Sequence, residues 1–406
     1  MKKLLCILVS LLALTGCSAG QAPSGDPASD SASDSASAAV SDTAGSSSGA
    51  STADSSEDGG ASEPADPDAP RSFGRITVGA PALVYPDSEM PYTIDGSFST
   101  LRQPDGSILY WETANGDRPY FYLHRGTAED PLASLEATFA WDYNGYRVEW
   151  PSGVWVQNLY QCEDGTLIGF IHREDLERNN DAGANDYFTG LAISTDGGRN
   201  WTYGGDILST VQNGDVSHNN MGGVPYLVVG DYFYIYFNEF SQTGAMYTSV
   251  ARCRIDETVA ALREGTVPAA EKYAGDGVWG VDGMTGTGTI LVADSYSTGY
   301  DTHADAAYCA PLGRYLLTLQ THGLSKLLLY QSDDGLNWDD YEPIVLDQAQ
   351  EGVFMQPYST FVGLTEDASN DFSTVGDSFY IYFPRKGMGA GYAYDDMYRV
   401  LVTIDD

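Results

Sequence analysis

An eight-residue block, Ser194-Thr195-Asp196-Gly197-Gly198-Arg199-Asn200-Trp201, and a near copy, Ser332-Asp333-Asp334-Gly335-Leu336-Asn337-Trp338, constrain this chain more than any other feature. Each follows an apolar run of strand character, Gly190 to Ile193 in one case and Leu327 to Tyr330 in the other. A β-hairpin closed by such a block uses the Ser hydroxyl and Asp carboxylate to bind loop N–H groups, and Gly to supply a positive φ. The Trp then folds back into the gap between neighbouring sheets, where it buries a large apolar surface.

From Arg71 onward, short strand-like runs alternate with Gly/Asp/Asn turns, and one short helix is expected over Asp256–Glu264. Strands at this regularity form a sandwich, a barrel or a propeller. One layout recurs five times: a polar opening, an inner strand, a turn, and a strand rich in Tyr, Phe or Leu. The units run Asp95–Glu112, Trp155–Glu174, Asn219–Glu239, Asp301–His322 and Gln356–Arg385. The first block fits Ser-x-Asp-x-Gly-x-x-Trp and so resembles the Asp-box of sialidases and related β-propellers; the second is one residue shorter. The resemblance implies an all-β propeller of the glycoside hydrolase kind, six-bladed as in sialidases or five-bladed as in arabinanases, xylosidases and fructosidases. The five units favour five blades, with six as the alternative if residues 276–300 hold another. The C-terminal segment Met397–Ile404 is expected to complete the first blade and tie the termini together.

Ahead of the propeller stand two segments of different character. Residues 1–16 read as an export signal: Lys2-Lys3, then an apolar run from Leu4 to Leu14 too short to span a bilayer as a stable helix. Leu14-Thr15-Gly16-Cys17 looks like a bacterial lipoprotein cleavage box, with Cys17 as the lipidated residue. Residues 17–70 contain ten acidic residues and no aromatic, Lys or Arg, a composition that cannot bury enough apolar surface to fold. A disordered tether is expected there. The expected location is the bacterial cell membrane, with the protein facing outward and held by lipid alone.

Residues 71–406 carry 47 of the 57 acids and 18 of the 20 bases, a balance of −29. Such a surface repels nucleic acid and anionic lipid. The 28 Tyr and 7 Trp suit both β-sheet cores and sugar stacking. Once Cys6 and Cys17 are set aside, Cys162, Cys253 and Cys309 are an odd number with no metal-ligand spacing, best read as buried strand thiols, with one disulfide plus one free thiol as the alternative.

In a propeller the start of each inner strand and the end of the next strand return to one face. The repeat brings to that rim Asp95, Glu112, His172, Arg173, Glu174, Asn219, Asn220, Asn238, Glu239, Asp301, His303, Asp305, His322 and Arg385. Converging carboxylates are what glycosidic cleavage requires: one protonates the leaving oxygen, the other activates water or attacks the sugar. The assignment is Asp95 as base or nucleophile and Glu239 as acid, with Glu174 as the alternative acid. His172, Arg173, Asn219, His303, His322 and Arg385 are substrate-binding candidates. The plainer reading of each is a solvated rim residue in an acidic protein. Asp301, His303 and Asp305 alternate along one strand and suggest a divalent cation such as Ca²⁺, although no cofactor is required. A sialidase-like carboxylate clamp would draw on Arg75, Arg173 and Arg385. A glycan that is bound without cleavage, or a protein-adhesion surface, are the alternatives to hydrolysis.

Overall fold

The computed structural model describes residues 70–90, 93–94, 96–115, 120–139, 153–175, 186–209, 224–240, 246–291, 301–321, 326–338, 340–346, 358–386 and 395–406. The expected signal, tether and Cys17 lie outside the described residues. No helix among the described residues is long and apolar enough to cross a membrane.

Three short strands open the chain: β1 (Arg71–Phe73), β2 (Ile76–Val78) and β3 (Ala82–Tyr85). Blade one follows with β4 (Thr93–Ile94), β5 (Ser99–Arg102), β6 (Ile108–Asn115), β7 (Tyr120–Gly126) and β8 (Ser134–Phe139). Blade two contains β9 (Gly153–Gln161), β10 (Leu167–Asp175), β11 (Asp186–Ser194) and β12 (Thr202–Ser209). Blade three is β13 (Tyr226–Val229), β14 (Tyr232–Phe240), β15 (Met246–Arg254), then helix α1 (Ile255–Arg263), β16 (Glu271–Gly275) and β17 (Val278–Asp282). Blade four is β18 (Asp301–Cys309), β19 (Arg314–Thr321), β20 (Lys326–Ser332) and β21 (Asp340–Leu346). Blade five contains β22 (Thr360–Gly363), β24 (Ser378–Lys386) and β25 (Asp395–Ile404), while β23 (Thr374–Val375) leaves it to pair in parallel with β18.

Each blade is an antiparallel meander, and the five sheets meet through five apolar seams. Leu101, Trp111, Val156 and Trp201 join blades one and two. Phe170, Leu191, Phe233 and Ala251 join two and three; Leu227, Tyr236, Leu317 and Trp338 join three and four. Ala307, Leu329, Phe361 and Val400 join four and five, and Phe98, Tyr110, Val362 and Tyr382 close five onto one. The fold is a five-bladed β-propeller. The segment that could have held a sixth blade instead supplies β17 and a return over blade three, where the Leu291 N–H bonds the Thr248 carbonyl at 2.9 Å.

The ring closes through its termini, in a different sense from that expected. β2 and β3 both pair with β25, so the N-terminal strands complete the last blade, rather than the C-terminal segment completing the first. The helix expected over Asp256–Glu264 is α1. Cys162, Cys253 and Cys309 are free thiols; Cys253 and Cys309 are buried and Cys162 is half-buried, and burial pushes each up to about 11.

The two Ser-Asp-Gly-Trp blocks close the hairpins β11–β12 and β20–β21 with one set of bonds. Ser194 Oγ accepts from the Gly198 N–H at 2.9 Å, and Asp196 Oδ1 accepts from the N–H groups of Arg199 and Asn200 at 3.1 and 2.9 Å. Ser332 and Asp334 do the same for Gly335, Leu336 and Asn337. Each block is also fastened to the preceding blade. Trp111 Nε1 donates to the Gly198 carbonyl at 2.8 Å, and Tyr236 Oη to the Gly335 carbonyl at 2.7 Å. Gly198 has φ +76°, and a Cβ there would sit 2.3 Å from the Trp111 ring; Gly197, at φ +75°, has open space. Gly197→Ala is therefore expected to cost about 1–2 kcal/mol from backbone strain alone. Gly198→Ala should cost about 1–3 kcal/mol more, because the indole must move. Urea midpoints of the two variants check this, and equal midpoints would refute the fastener.

Candidate functional site

The strand directions gather the starts of the inner strands and the ends of the second strands on one face, and side chains with polar heads are buried there. Glu112 in the second half of β6 is 0% exposed; His172 in the second half of β10, and Asn238 and Glu239 near the end of β14, are also buried. A sheet interior that buries such groups must satisfy them or bear a cost of several kcal/mol each.

One oxygen of Glu239 is held by a lysine that no local sequence pattern singles out. Lys272 on β16 is 0% exposed, and its Nζ donates to Glu239 Oε2 at 3.0 Å, to the Ser209 carbonyl at 2.7 Å and to the Gly286 carbonyl at 2.7 Å. The same carboxylate oxygen accepts the Gly288 N–H at 2.9 Å. Burial pulls the Lys272 ammonium below its ordinary value, and the Glu239 charge opposes that shift. These are contacts made by an ionised carboxylate. To donate a proton, Glu239 would first have to part from Lys272.

Glu112 is the opposite case. Neither of its carboxyl oxygens has a hydrogen-bond partner among the described residues, and the closest cationic candidate is His124 Nε2 at 3.9 Å. Burial raises Glu112 well above the usual carboxylate range, which favours its neutral form, and burial lowers His124 against the opposing pull of a backbone hydrogen bond at Leu132.

Blade two contributes an aromatic setting. The His172 ring lies 5.4 Å from Trp155 and 5.5 Å from Tyr187, centroid to centroid. Arg173 forks onto Asp206, with Nε–Oδ1 at 2.8 Å and Nη2–Oδ2 at 2.7 Å, and lies 4.4 Å from the Phe188 ring centroid. Tyr203 also donates to Asp206. Arg385 on β24 lies over the Tyr398 ring at 5.4 Å. Arg75 sits in the β1–β2 turn, on the face away from Arg173 and Arg385, so these three arginines do not form one clamp.

The row Asp301, His303, Asp305 is interrupted. A β-bulge between His303 and Asp305 breaks the alternation that would have aligned them. Asp305 is buried, its Oδ1 accepting the Ala306 N–H at 2.9 Å and its Oδ2 the Phe361 N–H at 2.7 Å, which clamps the inner strands of blades four and five. Among the described residues, no cluster of three His, Cys, Asp or Glu is placed to hold a metal. The backbones of Asp301 and His303 lie in β18 and that of Glu174 in β10; their side chains, with Asp95, Asn219 and His322, lie outside the described residues. Lys272, Asp206 and His124 are the partners that sequence reasoning missed, each fixed by a contact between strands and invisible to local pattern.

No family model and no curated protein matches this chain. Among solved structures it is similar to Zg3597, a family 117 glycoside hydrolase of the marine bacterium Zobellia galactanivorans, at 12% identity over 82% of this chain and 93% of that one, TM-score 0.47. It is also similar to the α-L-arabinanase of Penicillium chrysogenum (13% identity, 81% and 98% covered, TM-score 0.45) and to the Hadza microbial sialidase Hz136 (13%, 81% and 53%, TM-score 0.41). These likenesses are distant, and the five-bladed assignment rests on strand pairing and the five seams.

Burial pushes Asp305 up to about 7, against the pull of its two amide donors. A carboxyl raised from its ordinary value of 3.8 binds a proton more tightly folded than unfolded. Its stabilising contribution is therefore full below about pH 4 and is lost as pH rises through about 7. Unfolding midpoints of the wild type minus those of Asp305→Asn should fall between pH 4 and pH 8, by up to about 4 kcal/mol in stability. A flat difference would disprove the shift.

Proposed function

We propose that this protein is a lipid-anchored, outward-facing glycoside hydrolase that binds an extracellular glycan on the face where the inner strands begin. The observation that carries this reading is the buried polar centre on that face. Carboxyl, imidazole and amide groups from three successive blades are embedded beside aromatic rings, at a cost that core packing alone does not repay. Two carboxyl groups in different charge states are what acid–base cleavage uses. Asp95 and Glu174 are retained as the base or nucleophile and the alternative acid. Glu239 serves in its ionised form beside Lys272, and Glu112 is a candidate proton donor because burial favours its protonated form.

A second reading, a propeller that binds glycan without cutting it, is favoured by one observation. Glu239 and Arg173 already hold ionic partners, which is how a rigid binding platform is built. The full-length chain incubated with a glycan and aryl-glycoside panel, with and without Ca²⁺, separates the two. Sugar release lost by at least about a hundredfold in Asp95→Asn, and in Glu112→Gln or Glu174→Gln, is the expected result. Binding without release would replace hydrolysis by the binding module, and neither binding nor release would leave protein adhesion.

The anchor is tested separately. Cells fed labelled palmitate should incorporate label into the wild-type chain and not into Cys17→Ser, which should appear in the medium. Label retained in Cys17→Ser would refute anchoring at that residue.

A further inference from the structure

A pocket of about 420 Å³ opens on the face opposite the polar centre, at the seam between blades four and five. Its floor is apolar, made of Phe73, Ile76 and Leu312, and Phe73 and Leu312 pack directly against the core of that seam. Its walls carry Arg75, Arg314 and Gln331. Arg75 is in the β1–β2 turn, Leu312 and Arg314 stand at the β18–β19 turn, and Gln331 is near the end of β20, all at the strand ends away from the polar centre.

Two guanidinium groups meeting in one pocket stand out in a body with a balance of −29. Arg75 is aimed by carbonyls: Nε donates to the Asp405 carbonyl at 2.8 Å and Nη1 to the Pro311 carbonyl at 3.0 Å. Among the described residues no carboxylate lies within ion-pair distance of it, so its orientation is fixed without its charge being neutralised. Other arginines face carboxylates, as exposed Arg199 does Glu136 and half-buried Arg252 does Glu271. Arg314 donates Nε to Asp333, itself largely exposed, at 2.8 Å and Nη1 to Gln331 at 3.5 Å, which places amide and guanidinium side by side. The volume falls within the range of small-molecule sites, and planar cations above an aromatic floor suit a ring that carries a carboxylate.

We propose that this pocket is a second carbohydrate site, specific for an acidic sugar residue. The carboxylate binds Arg75 and Arg314, the apolar face of the ring lies on Phe73, and a hydroxyl meets the Gln331 amide. The site is separate from the face proposed for cleavage and holds whether or not that face is catalytic.

Digalacturonate titrated calorimetrically into the full-length chain at low salt tests it. Binding is expected with a dissociation constant below roughly 1 mM, weakened roughly tenfold or more for the uncharged dimethyl ester, and weakened further by salt. Arg314→Gln, Arg75→Gln and Phe73→Leu should each lower affinity roughly tenfold, while Arg252→Gln, on blade three beside Glu271, should leave it unchanged. Because Arg75 also ties the C-terminus, thermal melts accompany that variant, and Arg314→Gln and Phe73→Leu decide the matter if it unfolds. No binding, equal binding of the dimethyl ester, an unchanged affinity in Arg314→Gln, or loss of binding in Arg252→Gln would each overturn the proposal.

Discussion

The apolar seam between neighbouring sheets is the interaction on which everything else in this propeller depends. A four-stranded sheet has two faces to cover, and here each face is covered only by the next blade, so no blade is stable by itself. The fifth seam is the demanding one, because it must bring Phe98 and Tyr110 against Val362 and Tyr382 across most of the sequence. Loop-closure entropy opposes that contact, and pairing of β2 and β3 with β25 offsets it by fastening the ends directly. Short polar links at the axis hold the ring in register. Ser99 bonds the Val156 carbonyl, Asn158 the Val224 carbonyl, Asp305 the Phe361 N–H, and Thr360 the Phe98 N–H.

What the sequence made legible is what short-range chemistry determines. The turns at Gly106, Gly165, Gly230 and Gly313 take the positive φ that their residues suggest. Both Ser-Asp-Gly-Trp blocks form, and the imperfect copy shows why imperfection is tolerated. In the full block Ser194 reaches the N–H four residues on and Asp196 those three and four on; in the short one Ser332 reaches three on and Asp334 two and three on, while each Trp ring N–H bonds the carbonyl three residues back. Five units rather than six could be read because each has its own turn and its own aromatic strand. The sense of closure could not, since it depends on whether β25 takes its outer neighbour from residues 76–85 or donates itself to blade one. No local pattern distinguishes those outcomes.

The site was legible as a place and not as a set of partners. Strand direction alone put Glu112, His172 and Glu239 at one face, and all three are buried there. Lys272 was invisible because its strand, Glu-Lys-Tyr-Ala-Gly, reads as an exposed edge. Only the return of residues 283–289 between blades two and three encloses its ammonium with the carbonyls of Ser209 and Gly286. The bulge in β18 was equally hidden, and Asp305 beside it clamps two inner strands.

Three buried carboxyl groups show three solutions to one desolvation problem. Glu239 is compensated by an ammonium and an amide, and Asp305 by two amides whose pull falls short of the cost of burial, which leaves it titrating near neutrality. Each of these two has a structural reason to be where it is, because each joins elements that would otherwise separate. Glu112 joins nothing: its oxygens have no hydrogen-bond partner among the described residues, and a leucine of similar size would fill the space without the penalty. A group that stability would discard is one whose retention calls for a chemical reason. Of the three, it is the carboxyl whose neutral form burial favours with no bond to release first, which is the property an acid catalyst needs.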